Sequence, residues 1–217
     1  MLIQKRLITA ALFGAALGTT AVSAAAQTAH MPVSMIAGSS SYALSNRSWG
    51  MVANAPDGFV IGSPKAPQLV AFLDPNCSVC NRFYDELQPL IKSGKISVRV
   101  LMVGLIKHSS PGKAAHIVLP LVDPSTHQTP QDLLATSEDK FKKGAAGGHI
   151  SPVSNPMALA VVDDHNDILE RLTALYAGFP RGRIETPVIV VTDHGVHRVI
   201  FGAPPQGAAK LVEALNK

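Results

Sequence analysis

Two cysteines, Cys77 and Cys80, are all that this 217-residue chain contains, and they stand three positions apart. A structural disulfide stabilises by closing a long loop in the unfolded chain, and a loop this short removes little of that entropy. The pair therefore reads as chemistry rather than stapling. Its surroundings agree. The apolar run Gln68 to Leu73 predicts a buried strand, Asp74-Pro75-Asn76 a turn with Asn76 as helix N-cap, and Cys77 to Leu87 a helix with Phe83, Tyr84 and Leu87 facing inward. A thiol attacks a disulfide only as thiolate, and the first turn of a helix favours negative charge. Cys77 is thus the expected nucleophile, and Cys80, one turn on, the resolving thiol.

Other uses of the two sulfurs are weaker. A zinc site needs two more ligands, which His194 and His197 offer only across a hairpin turn and at tighter spacing than zinc fingers use, so no metal is expected. A c-type haem requires histidine directly after Cys80, where Asn81 stands. The remaining histidines, His30, His108, His116, His127, His149 and His165, show no motif spacing. Asp163-Asp164-His165 reads as a solvated helix face, because adjacent helix residues do not converge.

The first residues place these thiols in an oxidising compartment. Lys5 and Arg6 precede an apolar Gly/Ala-rich stretch from Leu7 to Val22, and Ser23-Ala24-Ala25-Ala26 follows. That order is a secretory signal peptide over residues 1–26, cleaved near Ala26, and the apolar run is too short for a membrane span. The exported chain, residues 27–217, is expected to be soluble and periplasmic. Lys5 and Arg6 supply two of the formal +4 charges, and with 5% aromatic residues and no dense basic stripe, nucleic acid is not an expected partner.

Residues 27–66 are polar, rich in Ser, Gly and Pro and weakly periodic, which predicts an extended lead-in, a vestigial N-terminal region. The catalytic domain is expected over 67–217. After the first helix, with Pro89 expected to interrupt it and Gly94 to end it, Ile96 to Val103 alternates as a second strand. Ser110-Pro111 starts a helix, Pro130 to Lys143 reads as another, 144–156 as a loop, and Met157 to Ala177 as a third helix. Pro187 to Val191 and Val196 to Phe201 form a hairpin about Asp193-His194-Gly195, and Pro204 to Leu215 is the last helix. The order is α/β: a thioredoxin-like fold with a helical insertion over about 109–178.

Phe72-Leu73-Asp74-Pro75-Asn76-Cys77-Ser78-Val79-Cys80, with Pro89, Ser93-Gly94-Lys95 and Val98 to Lys107, resembles the catalytic domain of the DsbC/DsbG periplasmic disulfide isomerases, the DsbG branch more closely. The resemblance implies that Thr186-Pro187 is the family's Thr-cis-Pro element, which lies beside the thiols and offers backbone to the substrate. It implies that Ser78-Val79 tunes the reduction potential, and here this dipeptide departs from the aromatic second residue common in the family. No histidine lies between the cysteines, which favours reduction or isomerisation over strong oxidation. No cofactor is implied beyond the redox-active pair, and a DsbD-like membrane reductase is the implied electron donor. The segment ahead of the first strand is short for the family's dimerisation domain, so a V-shaped dimer is not expected. Arg181 and Arg183, just before Thr186-Pro187, are candidates for favouring negative charge at Cys77.

The expected function is therefore reduction or isomerisation of disulfides, or of oxidised cysteines, in exported proteins. The alternative is a non-enzymatic thioredoxin-like binding or chaperone module of a secretion or conjugation system, in which the cysteines are dispensable.

Overall fold

The structure, a computed structural model, describes residues 33–142, 150–177 and 184–216. In chain order these form β1 (Val33–Ile36), β2 (Ser39–Ala43), α1 (Asn46–Ala53), β3 (Phe59–Ile61), β4 (Gln68–Leu73), α2 (Ser78–Lys92), β5 (Ser97–Met102), α3 (Ser110–Val122), α4 (Pro130–Lys142), α5 (Pro156–Leu172) continued by a π turn (Thr173–Ala177), β6 (Val188–Asp193), β7 (Val196–Phe201) and α6 (Gly207–Leu215). The sheet order is β1-β2-β7-β6-β4-β5-β3, with β4 parallel to β5 and antiparallel to β6.

The apolar run of β4 is explained by cover on both of its faces. Leu69, Ala71 and Leu73 join a core containing Phe83 and Leu87 of α2, Ile117 of α3, Leu134 of α4 and Leu211 of α6. Val70 and Phe72 point the other way, toward Val52 of α1 and Leu169 and Leu172 of α5. Each such side chain is worth roughly 1.5–3 kcal/mol once buried, so this two-sided strand anchors the fold. β5 is likewise buried on both faces rather than alternating with solvent: Ser97 and Leu101 are inside, and only Arg99 reaches out. Its guanidinium donates to the carbonyls of Val52, Ala53 and Ala55, where a cation at the end of α1 is favourable.

Three sequence expectations need correction. The lead-in is not extended: residues 33–61 supply β1, β2, α1 and β3, with β2 paired to β7 and β3 to β5. These strands, of four, five and three residues, lie toward the sheet's edges and are too short to show a period. α2 runs through Pro89 to Lys92, because Pro89 is exposed and the Ser93 N–H bonds to the Pro89 carbonyl beyond it. Gly94 then takes φ +69, as a helix terminator does. The α6 start at Gly207 rather than Pro204 is fixed by α2, since the Glu86 carboxylate accepts the Ala208 N–H at 2.8 Å. His194 and Gly195 both have positive φ, the geometry of a two-residue type I′ hairpin.

Candidate active site

Cys77, not Asn76, is the N-cap of α2. Its sulfur accepts the backbone N–H of Cys80 at 3.1 Å, doing for the helix what a Ser or Asp oxygen does elsewhere. The Cys77 N–H in turn bonds to the Asp74 carbonyl at 3.0 Å, closing the strand-to-helix turn. Both cysteines are free thiols, Cys77 8% exposed and Cys80 2% exposed.

The two sulfurs are electrostatically unlike. A hydrogen bond from the Cys80 side chain, opposed by burial and aided by the Thr186 hydroxyl and the Cys80 and Val79 backbone, lowers Cys77 from 9.0 to about 6. Burial, reinforced by the adjacent Cys77, raises Cys80 well above its ordinary value. At neutral pH the outer sulfur is a thiolate and the inner one keeps its proton. An anion that can attack beside a thiol that can follow is what two-step exchange requires.

Across from α2 the Thr186-Pro187 peptide is cis, and the Thr186 carbonyl accepts the Cys77 S–H at 3.3 Å. The Thr186 hydroxyl is buried and has no partner while that proton is in place, so it is available to turn toward the thiolate once the proton leaves. Ser78 is exposed at the mouth of the site, whereas Val79 leans on the core. Arg181 and Arg183 lie outside the described residues, as do residues 1–26.

A carboxylate that the sequence reading passed over ties the site together. Asp74 is 2% exposed, and its oxygens accept four bonds: one from the Asn76 N–H at 2.8 Å, one from the Ser110 hydroxyl at 2.9 Å, and two from the Leu105 and Ile106 N–H groups at 2.7 and 2.9 Å. Asn76 continues the network, its amide donating to Ser109 and Ser110 and accepting from Lys113. The Asx-turn in Asp74-Pro75-Asn76 was the local signal for half of this. The other half comes from the 104–110 loop, whose approach no local pattern announces.

His194 and His197 sit at the hairpin end of β6, several residues along the strand from Thr186, and His197 stacks on Trp49. Among the described residues no cluster of His, Cys, Asp and Glu is placed to hold a metal ion. His165 departs from its solvated-face reading: Asp163 and Asp164 are exposed, but His165 is wholly buried, its ring nitrogens 2.9 Å from the Met102 carbonyl and 2.7 Å from that of Pro56. Among the described residues no helix is long and apolar enough to cross a membrane.

The family described as thioredoxin matches residues 54–175, more than half of the chain. The thiol:disulfide interchange protein DsbG of Escherichia coli K12 is 43% identical over 58 residues, and that of Pseudomonas aeruginosa 38% over 58. Each match spans 26% of this chain and 23% of the relative's length. A periplasmic thioredoxin-like protein from Salmonella enterica serovar Typhimurium has the same fold at TM-score 0.55 and 21% identity, covering 80% of this chain and 99% of its own. The catalytic domain of Proteus mirabilis ScsC does so at TM-score 0.52 and 18% identity, covering 79% and 96%. With Cys77 and Cys80 at the head of α2 and residues 54–175 matching that family, the chain belongs to the thioredoxin family.

Proposed function

We propose that this chain is a periplasmic thiol:disulfide oxidoreductase that reduces or isomerises disulfides, or reduces oxidised cysteines, in exported proteins. The observation that carries this reading is the opposed protonation of the two sulfurs, Cys77 lowered to about 6 and Cys80 raised, against the Thr186 carbonyl. A substrate strand lies along Thr186-Pro187, bringing its disulfide to Cys77. The Cys77 thiolate attacks one substrate sulfur, the substrate S–S bond breaks, and the other substrate sulfur leaves as thiolate, forming a mixed disulfide. For reduction, Cys80 gives its proton to the departing thiolate and attacks the Cys77 sulfur. The second substrate sulfur leaves as a thiolate that takes a proton from solvent, so the substrate ends as a dithiol and Cys77–Cys80 becomes a disulfide. For isomerisation, a substrate thiolate attacks the mixed disulfide instead and Cys77 is regenerated. After reduction, a DsbD-like membrane reductase returns two electrons. Partial identity to DsbG, 43% over 58 residues, supports the reading. Leader cleavage near Ala26, the placing of the chain in the periplasm and a role of Arg181 and Arg183 near the thiolate belong to the same proposal.

The test compares the wild-type chain with Cys77→Ser in a glutathione buffer. Recovery of an enzyme with scrambled disulfides that is lost in the variant supports isomerisation, and insulin reduction without recovery supports a reductase. Failure of wild type in both assays overturns the proposal in favour of the non-enzymatic binding module.

A further inference from the structure

On the sheet face opposite α2, the last turn of α5, the π turn and the start of α1 line an open cleft of about 580 Å³. π turns lengthen a helix locally and recur where side chains must be re-aimed. Here the π turn delivers Tyr176, whose hydroxyl accepts the Ser45 N–H at 2.9 Å and donates to the Ser48 hydroxyl at 2.8 Å. These bonds lock one wall to the other, so the cavity is preformed. Its apolar lining is Met51, Ala174, Leu175 and the Tyr176 ring, and Leu175 stays 60% exposed although apolar.

Two exposed arginines line the same cavity from different helices, Arg47 from the first turn of α1 and Arg171 from the last turn of α5. Among the described residues neither has a hydrogen bond or ion pair, and no Asp or Glu lines the cavity. The volume falls in the range of small-ligand sites, which combine apolar walls with a few polar groups. Paired arginines select a planar anion that can accept two parallel N–H bonds.

We infer that this cavity binds a fatty-acid-type monocarboxylate, its unbranched tail against Met51, Leu175 and Tyr176 and its carboxylate between Arg47 and Arg171. The thiols lie with the core on the other face of the sheet, so this site is separate from the redox centre and stands whether or not the chain exchanges disulfides.

Decanoate is the probe, titrated into the whole chain while the methyl resonances of Met51 and Leu175 are followed by NMR. Saturable shifts of both methyls are expected. Arg47→Gln and Arg171→Gln should each weaken decanoate binding by about tenfold, the loss of a charge-assisted contact. Decanol, with the same tail and no charge, should bind more weakly than decanoate and equally in all three proteins. Unchanged circular dichroism and thermal midpoints show that the variants are folded. The inference is overturned by an absence of saturable methyl shifts, by decanol binding as tightly as decanoate, or by arginine variants that bind decanoate as wild type does.

Discussion

The backbone N–H of Cys80 donates to the sulfur of Cys77, so the proposed nucleophile is also the N-cap of the helix whose first turn carries its proposed resolving partner. Structure and reactivity are joined at one atom. The lone pairs that cap the helix are those that become the thiolate, and the orphan N–H groups of the first turn stabilise the charge they would otherwise leave unpaired.

The largest cause of the low Cys77 value is the hydrogen bond from the Cys80 side chain, and Cys80→Ala removes it while leaving the backbone N–H. The Cys77 thiolate, followed by its ultraviolet absorbance, should titrate near pH 6 in wild type. In Cys80→Ala it should move up by roughly 1–2 units, as the loss of one hydrogen bond to a charged group predicts. An unmoved midpoint would assign the shift to Thr186 and the backbone.

The same titration couples to stability in the reduced protein. Cys77 is lowered from 9.0 to about 6 on folding, so between those values the unfolded chain holds a proton that the folded one has released. Its contribution is therefore fully present above pH 9 and is lost as pH falls through about 6. Urea midpoints of wild type minus Cys77→Ser, both reduced, should rise from pH 5.5 to pH 8.5, values chosen to span about that window. A flat difference would contradict the lowered value.

Asp74 should behave as a hub. Asp74→Ala strands the N–H groups of Asn76, Leu105 and Ile106 and the Ser110 hydroxyl, and should cost roughly 2–4 kcal/mol in urea unfolding. Asp74→Asn keeps a carbonyl oxygen for Leu105 and Ile106 but sets an amide donor against the Asn76 N–H and the Ser110 hydroxyl, whose oxygen already accepts from the Asn76 amide and the Lys107 N–H. Two donors, the Asn76 N–H and the Ser110 O–H, lose their acceptor while the Leu105 and Ile106 N–H groups keep theirs, so the cost should be smaller, about 1–2 kcal/mol. Equal losses in the two variants would mean that the charge, not the hydrogen-bond count, matters.

His165 predicts an acid-side weakness. Burial lowers its pKa from 6.5, so on acidification the unfolded imidazole takes up a proton before the folded one does. Its share of stability is present above pH 6.5 and is lost as pH falls through the lower folded value. While neutral, the ring has one N–H for two carbonyls, those of Met102 and Pro56. In His165→Gln, which does not titrate, the decline of stability between about pH 7 and 5 should be shallower than in wild type, read by thermal melts.

The sequence displayed much of this because the relevant signals are local. The apolar strand, the turn and the helical spacing after Cys77 sit side by side, and His194-Gly195 needs only its own backbone preferences to make a hairpin. The lead-in was misread for the opposite reason. β1 is only four residues long and β2 is mainly Ser, and their place is set by the pairing of β1 with β2 and of β2 with β7 rather than by their own pattern.

Residue identity alone determined that two cysteines three apart open a helix, and hence that one of them meets the unpaired N–H groups of a first turn. Only the tertiary structure decided that the Thr186 carbonyl, 109 residues away, stands 3.3 Å from that sulfur. It also decided that Asp74 holds the 104–110 loop and that Tyr176 closes on Ser45 and Ser48. Local backbone preferences act over a few residues, whereas these contacts form only when sheet pairing and two-sided burial bring distant segments together.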